Sequence, residues 1–187
     1  MYAPYKIRAP FFEIGPKCIM WGERMLKLAQ TVDKIAEKYD LDIIVTPQYA
    51  DIRLLAENTQ NLHIYAQHMD PLYPGRGLGS VLPESVKEAG AVGVMLNHAE
   101  KHLTLDVIKE TIRRADEVGL ASIVCADTVE EIRQIALLSP NLIVAEPTDL
   151  IGTGVASDMG YVRIKAEDQL FLINSVSVIY SLGTLVR

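Results

Sequence analysis

Cysteine is scarce in this sequence, with Cys18 and Cys125 the two in 187 residues, and neither sits at a spacing that forms a disulfide framework or a zinc site. A reducing cytoplasm is the expected location. Long apolar runs are missing too: no stretch approaches the roughly 20 residues that a bilayer span requires. The N-terminal stretch Met1–Pro10 has no signal-like apolar core. Excess positive charge is likewise lacking, since a formal net charge of −6 is spread along the chain without basic blocks. Nucleic acid and membrane surfaces are therefore not expected partners. No G-x-G-x-x-G links a strand to a helix, which argues against a dinucleotide enzyme on an open sheet.

What is present is ordinary globular material, 49% hydrophobic and 22% charged, enough for one domain spanning residues 1–187. Short β-branched runs alternate with longer amphipathic ones. Ile43–Thr46, His63–Ala66, Val92–Leu96, Ser122–Cys125, Leu142–Ala145 and Val176–Tyr180 read as strands buried on both faces, and a run near Ile7–Ile14 opens the series. Helical patterns fall between them at Gly22–Tyr39, Ala50–Asn58, Leu82–Ala89, Leu105–Val118, Val129–Leu138 and, less regularly, Tyr161–Ile173. Met20, Trp21 and Met25 are assigned to the first helix and its packing. Gly90 and Gly119 suit left-handed helix ends, and Thr104 with Asp127 or Thr128 suits helix starts. Alternation of this kind demands parallel strands joined by crossover helices, an α/β fold that is either doubly wound or closed into a barrel.

The placing of polar groups favours the barrel. Lys17, Gln48, Gln67–His68, Asn97–His98, Asp127 and Glu146 each follow the end of a different strand. In a (β/α)8 barrel those ends share one face, where chemistry is done.

Two of these positions carry further information. Glu146-Pro147 leads through Ile151-Gly152-Thr153-Gly154, a carboxylate at a strand end followed by a loop with proline at one hinge and glycines at the other. A base so placed, under a covering loop, suits removal of a proton beside a carbonyl. His98 ends another strand within Asn97-His98-Ala99-Glu100, where an imidazole could polarise the carbonyl oxygen. In isolation, a strand-end carboxylate is more often salt-bridged and a lone histidine more often a core or cap residue.

Together the two segments resemble the N-H-S-E and E-P-x-x-x-I-G-T-G motifs of triosephosphate isomerases, and the likeness runs from about Phe11 to Gly183. It is nearest to the compact archaeal and bacterial branches. The resemblance implies a TIM-type barrel that isomerises a small aldose or ketose phosphate without cofactor or metal, in glycolysis and gluconeogenesis. It implies Glu146 as base and His98 as a neutral electrophile, with Asn97 and Glu100 in support; triosephosphate isomerase is itself a standard example of that pairing. Gly152 and Thr153, with Ser181 and Gly183, would hold the phosphate. The family's N-x-K is matched only by Gly15-Pro16-Lys17, which keeps the lysine and loses the asparagine. That departure widens the expected substrate from a triose to a tetrulose phosphate.

The long loop Met69–Gly77 resembles one that reaches a neighbouring subunit, so a homo-oligomer, dimer or tetramer, is expected. Cys125 is read as a small buried thiol, and His68 and His102 as ordinary polar positions. Arg187 follows closely on the seventh strand, so about seven strands are expected in an incomplete barrel that lacks the eighth βα unit and part of the anion site. Residues Arg163–Phe171 fit the sixth helix poorly. Two open sheet edges then predict instability or pairing with another chain, and a relative that only binds phosphorylated ligands is the alternative function.

Overall fold

The computed structural model describes residues 7–145 and, as backbone, the strand at 177–180. Seven strands form one parallel sheet in consecutive order: β1 (Phe11–Ile14), β2 (Asp42–Val45), β3 (Leu62–Ala66), β4 (Gly93–Leu96), β5 (Ala121–Ala126), β6 (Leu142–Ala145) and β7 (Ser177–Tyr180). Between them run α1 (Gly22–Tyr39), α2 (Ile52–Asn58), α3 (Pro83–Glu88), α4 (Leu105–Val118) and α5 (Val129–Ala136). Strictly sequential parallel pairing is the order of a TIM-type barrel rather than of a doubly wound sheet, in which the order reverses at a switch point. Among the described residues the barrel is incomplete, with β1 and β7 at the ends of the strand order.

Two apolar layers hold it. The larger lies between strands and helices: Ile43, Val45, Ile64, Val94, Leu96, Val124 and Ile143 meet Met25, Ala29 and Val32 of α1 and their counterparts on α2, α4 and α5. The inner layer is smaller and comprises Ile44, Tyr65, Ala121, Ile123 and Leu142, with Phe11, Met95 and Val144 packed against it. Burial on both faces is why β2 and β5 read as continuous apolar runs instead of alternating ones.

Gly93 belongs to the inner layer's geometry. An added Cβ there would lie 2.2 Å from Tyr65 Cε1, and the Tyr65 ring is fully buried. Gly93→Ala is expected to destabilise the fold by about 1–3 kcal/mol through overpacking, measured by urea unfolding.

Helix ends follow the sequence signals. Thr104 and Thr128 accept from Val107 N–H and Glu131 N–H at 3.4 and 3.1 Å, and Gly119 closes α4 at φ 75°. Two expectations need correction. The first strand begins at Phe11 instead of Ile7, because Pro10 has no N–H to give and the Arg8 backbone and guanidinium are taken by Asp42 at 2.6–3.0 Å. Trp21 lies outside α1 as its extended N-terminal flank and is 62% exposed, and Met20 also precedes the helix although it packs against the core. Of the two alternatives offered for the start of α5, Thr128 is the cap. The segments Tyr161–Ile173 and Arg163–Phe171 lie outside the described residues.

Candidate active site

Each strand-end polar group named above that is described stands just beyond the C-terminal end of its strand, and hydrogen bonds join these groups, His68 apart, around the barrel mouth. Lys17 follows β1 after the buried Pro16. Its backbone is left-handed, with φ 50°, which is unfavourable for a residue with a Cβ unless the surroundings impose it. Here they do: the Lys17 carbonyl accepts from Gln48 Nε2 at 2.7 Å and from Gln67 Nε2 at 3.1 Å. Gln67 Nε2 also donates to the Thr46 carbonyl at 2.9 Å. The ends of β1, β2 and β3 are thereby tied together, and Lys17 Nζ reaches Glu100 Oε1 at 2.9 Å.

Glu100 belongs to the turn after β4. That turn is anchored by Asn97, buried and left-handed at φ 56°. Its Nδ2 donates to the Cys125 carbonyl at 2.9 Å and to Glu131 Oε1 at 3.0 Å, while its Oδ1 accepts from Leu103 N–H at 2.9 Å. Asparagine tolerates this conformation better than most residues and uses both ends of its amide here. Glu131 in turn accepts from Asp127 N–H at 2.8 Å, so the loops after β4 and β5 share one support.

His98 follows directly, half-buried, with Nδ1 3.0 Å from the Glu100 backbone nitrogen. A backbone N–H can only donate, so Nδ1 must be the unprotonated acceptor. The imidazole bound in this way is neutral with its proton on Nε2, a donor tautomer fixed by the backbone. The Glu100 carboxyl is held below its ordinary range chiefly by the hydrogen bond from Lys17, and it remains an anion beside that cation.

The remaining candidates divide. Cys125 is a buried thiol at the end of β5, as expected of a core residue. His68 is buried and pairs with Asp70 at 3.3 Å, a structural contact at the neck of the long loop, where Asp70 also accepts from Val81 N–H at 2.7 Å. Among the described residues no group of three or more His, Cys, Asp or Glu side chains could hold a metal ion. No described helix is long and apolar enough to cross a membrane. Glu146, Gly152, Thr153, Ser181 and Gly183 lie outside the described residues. Glu131, Glu13 and Thr46 were not singled out from sequence; only Glu131 left a signal there, as the fourth residue of Thr128-Val129-Glu130-Glu131, a capping-box spacing.

Burial of His68 and the hydrogen bonds to Asp70 set a pH dependence of stability. Burial lowers the His68 pKa from 6.5, with Asp70 acting in the opposite sense. Burial alone would raise Asp70, but the Val81 N–H and His68 leave it net below 3.8. In both cases the unfolded chain binds protons more readily than the folded one. Stability should therefore fall as pH drops below 6.5 through His68, and again below 3.8 through Asp70. Urea midpoints at pH 7.5 and 5.5 should differ less in His68→Gln than in the parent; an unchanged difference would refute the assignment.

The family model described as triosephosphate isomerase matches residues 17–165. The chain belongs to the triosephosphate isomerase family. Relatives named triosephosphate isomerase include one from Methanobacterium bryantii, 43% identical over 134 residues, which covers 72% of this chain and 59% of the relative. The triosephosphate isomerase of Methanocaldococcus jannaschii is 39% identical over 134 residues, 72% of this chain and 61% of that one. That of Sulfurisphaera tokodaii is 36% identical over 165 residues, 87% and 72% of the two chains. The alignments with the first two of these relatives span about three fifths of the relatives' own length. The triosephosphate isomerase family match takes in both His98 and Glu146 and starts at Lys17.

Proposed function

We propose that the chain interconverts a small aldose phosphate and its ketose by proton transfer through an enediolate. Glu146 takes the proton from the carbon beside the carbonyl. His98 donates from Nε2 to the carbonyl oxygen, and Lys17 supplies positive charge. Asn97 and Glu100 fix the positions of these groups, and Gly152, Thr153, Ser181 and Gly183 receive the phosphate. No cofactor takes part.

The observation that carries this reading is the His98 Nδ1 contact with the Glu100 backbone, because it leaves a neutral ring that can only donate from its far side. A neutral donor beside a developing oxyanion stabilises it without surrendering a full proton to the ground state. Register supports the partnership with Glu146. Leu96 pairs with Val124 and Ala126 with Ala145, so β4 and β6 flank β5. Their ends are about 10 Å apart at two strand spacings, a gap suited to a short sugar phosphate.

The test is isomerisation of glyceraldehyde 3-phosphate in deuterium oxide, followed by proton NMR. The base exchanges its proton with solvent, so dihydroxyacetone phosphate should form with deuterium on the carbon that gains hydrogen. Turnover no faster than buffer with both glyceraldehyde phosphate and erythrulose phosphate would remove the reading. The alternative, a relative that only binds phosphorylated ligands, has no observation in its favour: His98, Lys17 and Glu100 are hydrogen-bonded in series.

The same reading includes self-association through the loop after β3. Its root is fastened to α4, where the Leu72 carbonyl accepts from Arg114 and the Tyr73 ring lies 3.9 Å from the Arg114 guanidinium. Leu78 at its tip is fully exposed, the apolar side chain that this loop would bring to a partner subunit. Leu78→Lys should lower the sedimentation coefficient if the tip docks on a second copy.

A further inference from the structure

The first loop departs from the family where asparagine is replaced by Gly15, and the structure shows what occupies that place. Phe11, Glu13 and Gly15 alternate onto one face of β1 and its continuation. Phe11 packs in the inner layer and Glu13 is in register with Ile44, itself an inner-layer residue. Glu13 thus faces the barrel interior one layer below the mouth, where apolar side chains are the rule. Its carboxylate folds up over Gly15: a Cβ at Gly15 would meet Glu13 Oε1 at 3.1 Å and Oε2 at 3.4 Å, with Thr46 Oγ1 also at 3.4 Å. Thr46, only 2% exposed, donates its hydroxyl to Glu13 Oε1 at 2.8 Å. Glu13 itself is exposed. Through the Thr46 carbonyl and Gln67 the pair connects to Lys17, and through Glu100 to His98.

We propose that Glu13, held over Gly15 by Thr46, is a specificity-determining residue that accepts a hydrogen bond from a substrate hydroxyl. This rests on the isomerase reading and narrows its substrate. A carboxylate is an acceptor alone and repels a phosphate, so the group against it must be a hydroxyl at the end of the sugar remote from the phosphate. A family member with asparagine at position 15 would fill this volume with its own side chain. Here Glu13 and Thr46 fill it instead, so the group presented at this place is a carboxylate acceptor, and the site selects a four-carbon phosphate, with its additional hydroxyl, over a three-carbon one.

Unreactive polyol phosphates separate this inference from the isomerase reading. Calorimetric titration of the full chain with erythritol 4-phosphate and glycerol 3-phosphate should give tighter binding of the former by roughly 10- to 100-fold, the usual range for a hydrogen bond to a charged group. Glu13→Val should abolish that ratio while leaving glycerol 3-phosphate affinity within about threefold, on the same rule. Glu13→Gln, whose amide oxygen still accepts, should keep part of it. No preference in the parent chain, an unchanged ratio in Glu13→Val, or equal loss of both ligands would each overturn the proposal; the last would mark Glu13 as structural. Turnover measured separately reports on the isomerase reading: a parent chain that prefers the four-carbon ligand but turns over neither sugar phosphate would refute catalysis while upholding the selectivity assigned to Glu13.

Discussion

His98→Gln should lower kcat by about 10²–10³-fold, the usual cost of losing one donor to a developing oxyanion, with little change in KM or in circular dichroism. Glutamine can still accept from the Glu100 N–H and still carries an N–H, so the fold of the turn is preserved. What it loses is the ring that places a single proton at a fixed distance on the far side of that contact. Glu146→Asp withdraws the base by one methylene and should cost about 10²–10⁴-fold, the range of general-base contributions, again through kcat. A product that still forms at the parent rate in both variants would end the isomerase proposal.

Asn97→Ala carries the largest expected loss of stability, about 2–4 kcal/mol, from three hydrogen-bonding groups deprived of a partner and a left-handed backbone without its preferred residue. The Leu103 N–H, Cys125 carbonyl and Glu131 carboxylate all lose their contact with this side chain. Because Asn97 also sets the turn that presents His98, kcat should fall while the protein remains folded at low temperature. Asn97→Gly keeps the backbone freedom and removes the bonds. It should recover roughly 1 kcal/mol of the loss but none of the activity, and equal stability of the two variants would show that φ 56° is not strained.

These effects trace to contacts that chain order alone could not disclose. The alternation of strands and helices is a local property, written in periodicity and in Thr104, Gly119 and Thr128, which is why the element series is legible without coordinates. The positions of Lys17 and His98 after their strands are likewise local, and so was the family likeness in Asn97-His98-Ala99-Glu100. The start of β1 was misplaced because Asp42, 34 residues away, captures Arg8. Trp21 was misassigned because apolar character does not reveal which side of a helix start a residue occupies.

By itself the sequence determined that parallel strands would be joined by crossover helices, and that a carboxylate, an imidazole and a cation would follow three of those strands. Only the tertiary structure decided that Lys17 pairs with Glu100 across 83 residues, that the backbone fixes the His98 tautomer, and that Glu13 and Thr46 occupy the space over Gly15. The physical reason is separation along the chain. Propensity, capping and burial pattern act within a turn or two, whereas a hydrogen bond between strand ends exists only once the sheet has curled to bring them together.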